Sequence, residues 1–225
     1  MRQHSKLACS CPWYVFTDQP AQMRQELGHE ARHVQILDCF ELGEAHPPGS
    51  DKWPKAWRQK LALLANETLG RSLWIDADVL ALGDMDPALE LCARSPHFVM
   101  PECWGVYPPG HPKKANRHLY STGFYAYKPD RGRLGLVLSH NGGPWVGQQP
   151  LLSNYLETVC PTAVVKLPDI YHLNVRCEFY QRRHWDNVRP DARLLHFVGP
   201  KPWLEPEKVQ ELSPESWEAW QTAQS

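Results

Sequence analysis

The stretch Ser72-Leu73-Trp74-Ile75-Asp76-Ala77-Asp78-Val79-Leu80 joins an apolar run to a pair of carboxylates. Its first four residues predict a short strand, which resumes after the acids. Side chains two apart on an extended segment point to the same side, so Asp76 and Asp78 would lie in parallel. Two such carboxylates repel each other unless a cation lies between them, and their oxygens suit Mg²⁺ or Mn²⁺. The stretch therefore predicts a divalent-metal site at a strand end, with an acid-capped turn as the alternative.

Segments of strand and helix length alternate on both sides of this stretch. We predict strands at Trp13–Thr17, His33–Leu37, Ser72–Ile75, Val79–Leu80, His97–Met100, Gly123–Tyr127, Ala163–Leu167 and Leu194–Val198. We predict helices at Gln22–Leu27, Ala56–Asn66, Pro87–Ala93 and Gln149–Val159, and a helical tail over about residues 205–225. The alternation favours an α/β fold with a mainly parallel sheet, and such sheets bind ligands beyond the carboxyl ends of their strands. At 225 residues, one domain spanning 1–225 is expected.

Composition and charge exclude several classes of protein. The 24 Lys and Arg residues nearly balance the 25 Asp and Glu residues, for a net charge of −1, which argues against a nucleic-acid-binding protein. No apolar stretch approaches the roughly 20 residues of a transmembrane helix, and the amino-terminal run is too short and interrupted for a secretory signal. The seven cysteines include no C-x-x-C pair, so structural zinc is not expected. We therefore expect free thiols and a cytoplasmic location, with peripheral attachment to a membrane left open.

A second group of candidate residues lies near the carboxyl end, in the stretch 194–203 (LLHFVGPKPW). The predicted strand delivers His196, Gly199 allows close backbone approach, and Lys201 supplies a point charge that suits a phosphate. An imidazole beside two carboxylates favours Mn²⁺ over Mg²⁺. The alternative is a histidine that ends a strand and is followed by a proline-rich loop.

Lys60 lies on the apolar face of a predicted helix. Trp57, Leu61 and Leu64 share that stripe at helical spacing. One interpretation is a lysine whose stem packs while its ammonium reaches water. The other is a cation aimed at an anion near the following strand, because the helix leads directly to Asp76.

Several blocks of the sequence, taken in order, resemble glycosyltransferase family 8, the group that includes glycogenin and bacterial lipopolysaccharide galactosyltransferases. The blocks are Gln59-Lys60-Leu61, Trp74-Ile75-Asp76-Ala77-Asp78, Tyr120-Ser121-Thr122-Gly123, Gly147-Gln148-Gln149-Pro150-Leu151-Leu152-Ser153, and the stretch from His196 to Trp203. The likeness covers roughly residues 10–205. It implies a single-domain α/β fold of the GT-A type, with a mixed, mainly parallel central sheet flanked by helices. It also implies a metal-dependent transferase that moves a sugar from a nucleotide-diphosphate donor, a UDP-sugar, with retention of anomeric configuration.

The resemblance also implies roles for individual residues. Asp76, Asp78 and His196 would hold Mn²⁺ or Mg²⁺. Donor contacts would come from Asp76, Ala77, Ser121, Gly199 and Lys201, and catalytic roles would fall to Lys60, Gln148 and Gln149. The acceptor would be a glycan, a lipid-linked sugar or a protein. Cleavage of a sugar–phosphate bond needs stabilisation of the departing diphosphate, which a divalent ion and a lysine supply without a general acid.

The sequence departs from the family pattern at several points. Ser121 stands where the family has asparagine, and Gln148 stands where it has an acid. The closing block is one residue shorter between Gly199 and Lys201, and the family's opening strand and base-contacting segment have no counterpart here. These departures favour one alternative, a degenerate protein of the same fold that binds a nucleotide or glycan without turnover.

A second alternative is a phosphatase similar to the haloacid dehalogenases. Its nucleophile motif is also an apolar strand followed by D-x-D, and Asp76 would then be the nucleophile. That motif normally lies near the amino terminus and is followed by a later acidic pair, and neither feature is clear here.

Overall fold

The computed structural model describes residues 11–17, 19–38, 44–46, 51, 54–95, 98–102, 120–139, 148–159 and 161–224. Within these ranges the strands are β1 (Tyr14–Thr17), β2 (Gln35–Asp38), β3 (Ser72–Ile75), β4 (Val79–Ala81), β5 (Phe98–Pro101), β6 (Phe124–Tyr127), β7 (Val164–Leu167), β8 (Leu173–Asn174) and β9 (Leu194–His196). The α-helices there are α1 (Pro20–Leu27), α2 (Lys55–Ala62), α3 (Asp86–Arg94), α4 (Arg131–Ser139), α5 (Gln148–Thr158), α6 (Arg176–Tyr180), α7 (Arg182–Val188), α8 (Pro206–Leu212) and α9 (Pro214–Gln224).

The strands of these ranges form three hydrogen-bonded groups. A four-stranded sheet has the order β3-β6-β5-β7, in which β6 is antiparallel to both neighbours and β5 is parallel to β7. A three-stranded sheet has the order β4-β9-β8, with β4 antiparallel and β8 parallel to β9. Strands β1 and β2 pair in parallel. The predicted α/β class and the mixed sheet flanked by helices are confirmed. In the four-stranded sheet the antiparallel strand β6 lies between β3 and β5, so only the pairing of β5 with β7 is parallel there.

Strands β5 and β6 are buried on both faces, which explains why their sequences are almost entirely apolar. Alternate residues of β6 pack to opposite sides: Tyr125 and Tyr127 join one core cluster, and Phe124 and Ala126 join the other. Helices α2 and α5 cover the first side, and α3 covers the second. Each fully buried large apolar side chain stabilises the fold by about 1.5–3 kcal/mol. Packing on both faces stabilises the four-stranded sheet, from which the turn after β3 extends.

The turn from Asp76 to Asp78 connects the two larger sheets, since β3 belongs to the four-stranded sheet and β4 to the three-stranded one. The N–H of Asp76 donates to the carbonyl of Gly123 at 2.8 Å, just before β6 begins. The N–H of Phe197 donates to the carbonyl of Asp78 at 2.9 Å, just after β9 ends. Backbone hydrogen bonds therefore fix both ends of the turn, one to each sheet.

Several predicted elements shift or shorten in the structure. The helix predicted over Ala56–Asn66 is α2, which ends at Ala62 and continues as a 3₁₀ turn over Leu63–Ala65. The helical tail corresponds to α8 and α9, whereas β8, α4, α6 and α7 have no counterpart in the sequence prediction. Across the described ranges, every helix is too short or too polar to cross a bilayer. The extent of the single domain, 1–225, stays a prediction.

Candidate metal centre

Two carboxylates and an imidazole meet at the junction of the two sheets. Asp76 and Asp78 lie on the β3–β4 turn, and His196 is the last residue of β9, where it pairs with Val79 of β4. One ligand atom from each of the three side chains lies within 4.8 Å of the other two. The antiparallel register of β4 and β9 brings the distant histidine beside the acids. The predicted convergence of these three residues is therefore present in the structure.

The donor set fits the predicted class of ion. Two carboxylate oxygens and one imidazole nitrogen suit Mn²⁺, and the carboxylates alone also suit Mg²⁺. The ring of His196 is buried, while both acids keep partial access to solvent. An ion could therefore approach from the acid side and still reach the histidine.

Lys60 and Trp74 hold the first carboxylate. The Nζ of Lys60 lies 2.6 Å from Oδ1 of Asp76, and the indole Nε1 of Trp74 donates to the same oxygen. Lys60 is buried, and its Nζ lies 5.0 Å from the ring centroid of Trp74 and 5.7 Å from that of Tyr125. Burial lowers the pKa of Lys60, and the charge of Asp76 opposes that shift. Of the two interpretations of this lysine, the structure supports a cation aimed at an anion after the next strand.

The second carboxylate has different partners. Lys201 Nζ donates to Oδ2 of Asp78 and to the carbonyl of Phe197. The Nε2 of His196 lies 3.1 Å from Oδ1 of Asp78. Burial alone would raise the pKa of Asp78, but His196 and Lys201 outweigh it and hold the pKa well below its usual range. Asp78 is therefore a carboxylate at neutral pH, as a metal ligand must be.

The His196 ring packs directly over Gly123. A Cβ at position 123 would lie 2.2 Å from Cε1 and 2.5 Å from Nδ1 of His196, which is closer than real contacts allow. Only glycine leaves room for the imidazole here. The glycine that ends the Tyr120–Gly123 block thus has a steric role at the metal centre.

Behind His196 lies a buried polar chain. The Nδ1 of His196 lies 2.7 Å from Nε2 of His172, which in turn lies 2.7 Å from Oγ of Ser121. The N–H of Gly123 donates to the same Oγ at 3.1 Å. Burial and the neighbouring His196 lower the pKa of His172 well below its usual value, so the His172 ring is neutral.

Gly199 and Arg176 lie just beyond the metal centre. Gly199 has a φ of 106°, a conformation that favours glycine. A Cβ there would lie 3.1 Å from Nη2 of Arg176, whose Nε donates to the carbonyl of Val198 at 3.1 Å. The guanidinium of Arg176 therefore lies against the backbone of the loop that carries Gly199 and leads to Lys201.

The other predicted residues lie at varying distances from this centre. Ala77 is exposed at the tip of the turn between the two acids. Gln149 is half-buried, and its Oε1 lies 3.5 Å from the N–H of Thr122. Ser121 is only 1% exposed and faces His172, so its burial argues against direct contact with a nucleotide sugar, which stays a prediction. The side chain of Gln148 lies outside the described residues.

Three residues at this centre were not predicted from the sequence: Trp74 as a hydrogen-bond donor, His172 and Arg176. Trp74 and Asp76 are two apart on an extended segment, and this spacing could have suggested a contact. His172 and Arg176 flank β8, a two-residue strand with no local signal of its own. Their place at the site follows from the parallel pairing of β8 with β9.

Comparison with known proteins places the fold. No protein-family model matches the sequence, and no curated protein is similar to it in sequence. Solved structures do match: the apo form of mouse xyloside xylosyltransferase 1 aligns with a TM-score of 0.60 at 10% identity over 89% of each chain. The galactosyltransferase LgtC, solved in complex with donor and acceptor sugar analogs, aligns with a TM-score of 0.53 at 16% identity over 88% of this chain and 80% of LgtC.

The chain has the GT-A glycosyltransferase fold. A third match, the glycosyltransferase GlyE of Streptococcus pneumoniae TIGR4, has a TM-score of 0.57 at 16% identity over 92% of this chain and 54% of GlyE. The fold implied by the family 8 resemblance is thus confirmed, while membership of that family stays a prediction. The phosphatase alternative is not tested by these comparisons and stays an alternative.

Proposed function

We propose that this chain is a metal-dependent glycosyltransferase that takes its sugar from a nucleoside-diphosphate sugar. The observation that carries the proposal is the convergence of Asp76, Asp78 and His196 at the sheet junction, with cationic side chains beside them. A lone pair of acids at a turn is common without a bound ion. Three further features favour a site for a metal ion and a diphosphate at these acids. They are the fold shared with glycosyltransferases, the imidazole as third donor, and the loop that carries Gly199 and Lys201.

The three ligands would hold Mn²⁺ or Mg²⁺, of which the imidazole favours Mn²⁺. When bound, the ion supplies Lewis-acid stabilisation of the charge that develops on the departing diphosphate. Asp78 is suited to its part because its carboxylate stays ionised. Gly123 leaves room for the His196 ring, because any side chain at position 123 would collide with it.

Lys201 and Arg176 would bind the diphosphate. The Lys201 side chain is 26% exposed, so it can leave Asp78 and reach an anionic ligand. Arg176 lies against the Gly199 loop, where the backbone can approach a phosphate closely. Two positive side chains that bind the diphosphate would stabilise the charge that develops on it in the transition state.

Lys60 has a different place in the proposal. Its ammonium is buried and lies against Asp76, so we assign it the positioning of that carboxylate rather than contact with the sugar. Gln149 lies beside the Thr122 backbone on the other edge of the site, where it could face the anomeric carbon. The resemblance to family 8 supplies the rest of the proposal. It adds UDP as the nucleotide, retention of anomeric configuration, a glycan, lipid-linked or protein acceptor, and a cytoplasmic location.

The test measures binding before turnover. Thermal unfolding is followed with UDP, with Mn²⁺, and with both, because a ligand at about 100 times its Kd raises stability by about 2.7 kcal/mol. We expect a stabilisation that needs both components and that Asp78→Asn removes. The matched control is Asp84→Asn, since Asp84 is exposed on the same segment and asparagine keeps the oxygen that accepts the Asp86 N–H.

Two other outcomes have distinct meanings. Equal UDP binding by the parent and by Asp78→Asn, with or without Mn²⁺, would contradict the metal assignment. Mn²⁺-dependent UDP binding without release of sugar from UDP-glucose, UDP-galactose or UDP-xylose would contradict the transferase proposal and favour the degenerate binding protein.

A further inference from the structure

His172 lies directly behind the proposed metal ligand His196. Its side chain is 3% exposed, and the two rings meet edge to face with centroids 5.0 Å apart. We propose that His172 is a positioning residue, whose Nε2 accepts the Nδ1–H of His196 and so fixes the tautomer in which Nε2 of His196 faces the two acids. This inference rests on the proposed function, because it concerns the same metal centre.

The number of protons on each ring decides the argument. A neutral imidazole carries one N–H, so Nε2 of His196 can offer a lone pair to an ion only when Nδ1 carries the proton. That Nδ1 is buried against His172 Nε2 at 2.7 Å. Its proton must therefore be donated to His172 Nε2, which has to be unprotonated. Histidines that bind metals generally need such a partner on the second nitrogen, and its loss weakens the site.

Without a metal ion, the hydrogen bond between the two rings can have the opposite direction, from His172 to His196. The Nε2 of His196 lies 3.1 Å from Oδ1 of Asp78 and can donate its proton there. The Nδ1 of His196 then accepts from Nε2–H of His172. Binding of an ion would release the proton of His196 Nε2 to solvent, and the proton of His172 Nε2 would cross the hydrogen bond to His196 Nδ1. His172 Nδ1 would then take one proton from solvent, so that both rings stay neutral and the pair carries two protons before and after.

Ser121 and a vacant hydrogen-bonding position complete this relay. The Ser121 hydroxyl can both donate and accept, so at 2.7 Å it can share His172 Nε2 with His196 in a three-centre hydrogen bond in either tautomer. Nδ1 of His172 is buried and has no hydrogen-bond partner among the residues that the structure describes. A glutamine at position 172 would offer an oxygen to His196 without needing a proton on a buried, unpaired atom.

The test compares His172→Gln with His172→Met, which is similar in length but offers His196 no amide or imidazole acceptor. Mn²⁺ affinity is measured in the presence of UDP by electron paramagnetic resonance of the free ion. We expect a loss of about 10–100-fold for methionine and a change of at most about threefold for glutamine. The controls are His184→Gln and His184→Met, because His184 is half-buried beside Asp169 and neither variant should change Mn²⁺ affinity.

A measurement on the unmodified protein keeps the inference testable if the methionine variant fails to fold. Nitrogen-15 NMR of the histidine rings, with Cd²⁺ and UDP, should show His172 protonated at Nδ1 and unprotonated at Nε2. Protonated Nε2 under those conditions, or equal Mn²⁺ affinity of the methionine variant and the parent, overturns the role of His172 alone. Failure of the parent to bind Mn²⁺ with UDP overturns the proposed function as well.

Discussion

The two lysine–aspartate pairs of the site differ in how far each lysine reaches solvent. The Lys60 side chain is 6% exposed, and the Lys201 side chain is 26% exposed. Lys60 comes from α2, beneath the sheet, and packs between aromatic rings. Lys201 comes from the loop after β9, at the mouth of the site. The contrast suits the roles proposed above, in which the inner lysine positions Asp76 and the outer lysine exchanges Asp78 for a bound anion.

The largest expected effect separates the two aspartates. Asp76→Ala leaves the buried ammonium of Lys60 without its carboxylate, which should lower the free energy of unfolding by about 3 kcal/mol. Asp78→Ala lets Lys201 turn toward water, but it also removes the carboxylate partner of the buried His196 ring, so the loss should be about 1–2 kcal/mol. Urea unfolding of the metal-free variants measures both. Equal losses for the two variants would break the distinction between an inner and an outer pair.

The outer lysine should matter more for binding than for folding. Lys201→Met removes one charged partner of the diphosphate, so UDP affinity in the presence of Mn²⁺ should fall about tenfold or more, while uridine affinity stays unchanged. Isothermal titration of both ligands makes the comparison. Lys208→Met is the control, because Lys208 is exposed and pairs with Glu205 away from the metal centre. A parallel loss of uridine affinity would show that Lys201 supports the loop rather than the phosphates.

The smallest effect concerns Glu178, a carboxylate held by neutral donors. It accepts bonds from the N–H of Glu215 and from the N–H and hydroxyl of Ser216. Burial raises the pKa of Glu178 above its usual 4.5 despite these bonds, whereas the pKa of Asp78 is lowered by His196 and Lys201. Because the folded-state pKa of Glu178 is raised, its contribution to stability falls as the pH rises through that pKa.

The variant Glu178→Gln should therefore show a flatter dependence of stability on pH, by a few degrees in Tm at most between about pH 4 and 8. Thermal unfolding across that range measures it. Glu207→Gln at an exposed position of α8 should keep the parent's slope. Identical slopes for the parent and Glu178→Gln would show that burial does not raise the pKa of Glu178 in the folded protein.

The sequence predicted the metal centre better than its surroundings. Asp76 and Asp78 follow a strand directly, and His196 ends another strand, so local pattern and the family resemblance both reached them. Lys60 was found because a lysine on an apolar helical stripe needs a partner. Gly123 was part of a block, but its steric role depends on where the His196 ring lies, and no spacing in the sequence shows that.

The direction of β6 and the position of His172 depend on pairing between strands that are distant in the sequence. Apolar runs predict that β6 is a strand but do not give its direction, so a mixed sheet was predicted without saying which strand is antiparallel. His172 is one of eleven histidines and stands in no motif. It reaches His196 only because β8 runs parallel to β9, with Asn174 opposite His196.

The turn between Asp76 and Asp78 places the candidate metal centre at the connection between the two sheets. One sheet supplies β3 and the other supplies β4 and His196, so an ion held by all three residues would clamp the two sheets together. Binding of the ion would then make the junction of the two sheets more rigid. Amide hydrogen exchange should slow on both β6 and β9 when the site is filled, although no ligand residue belongs to β6.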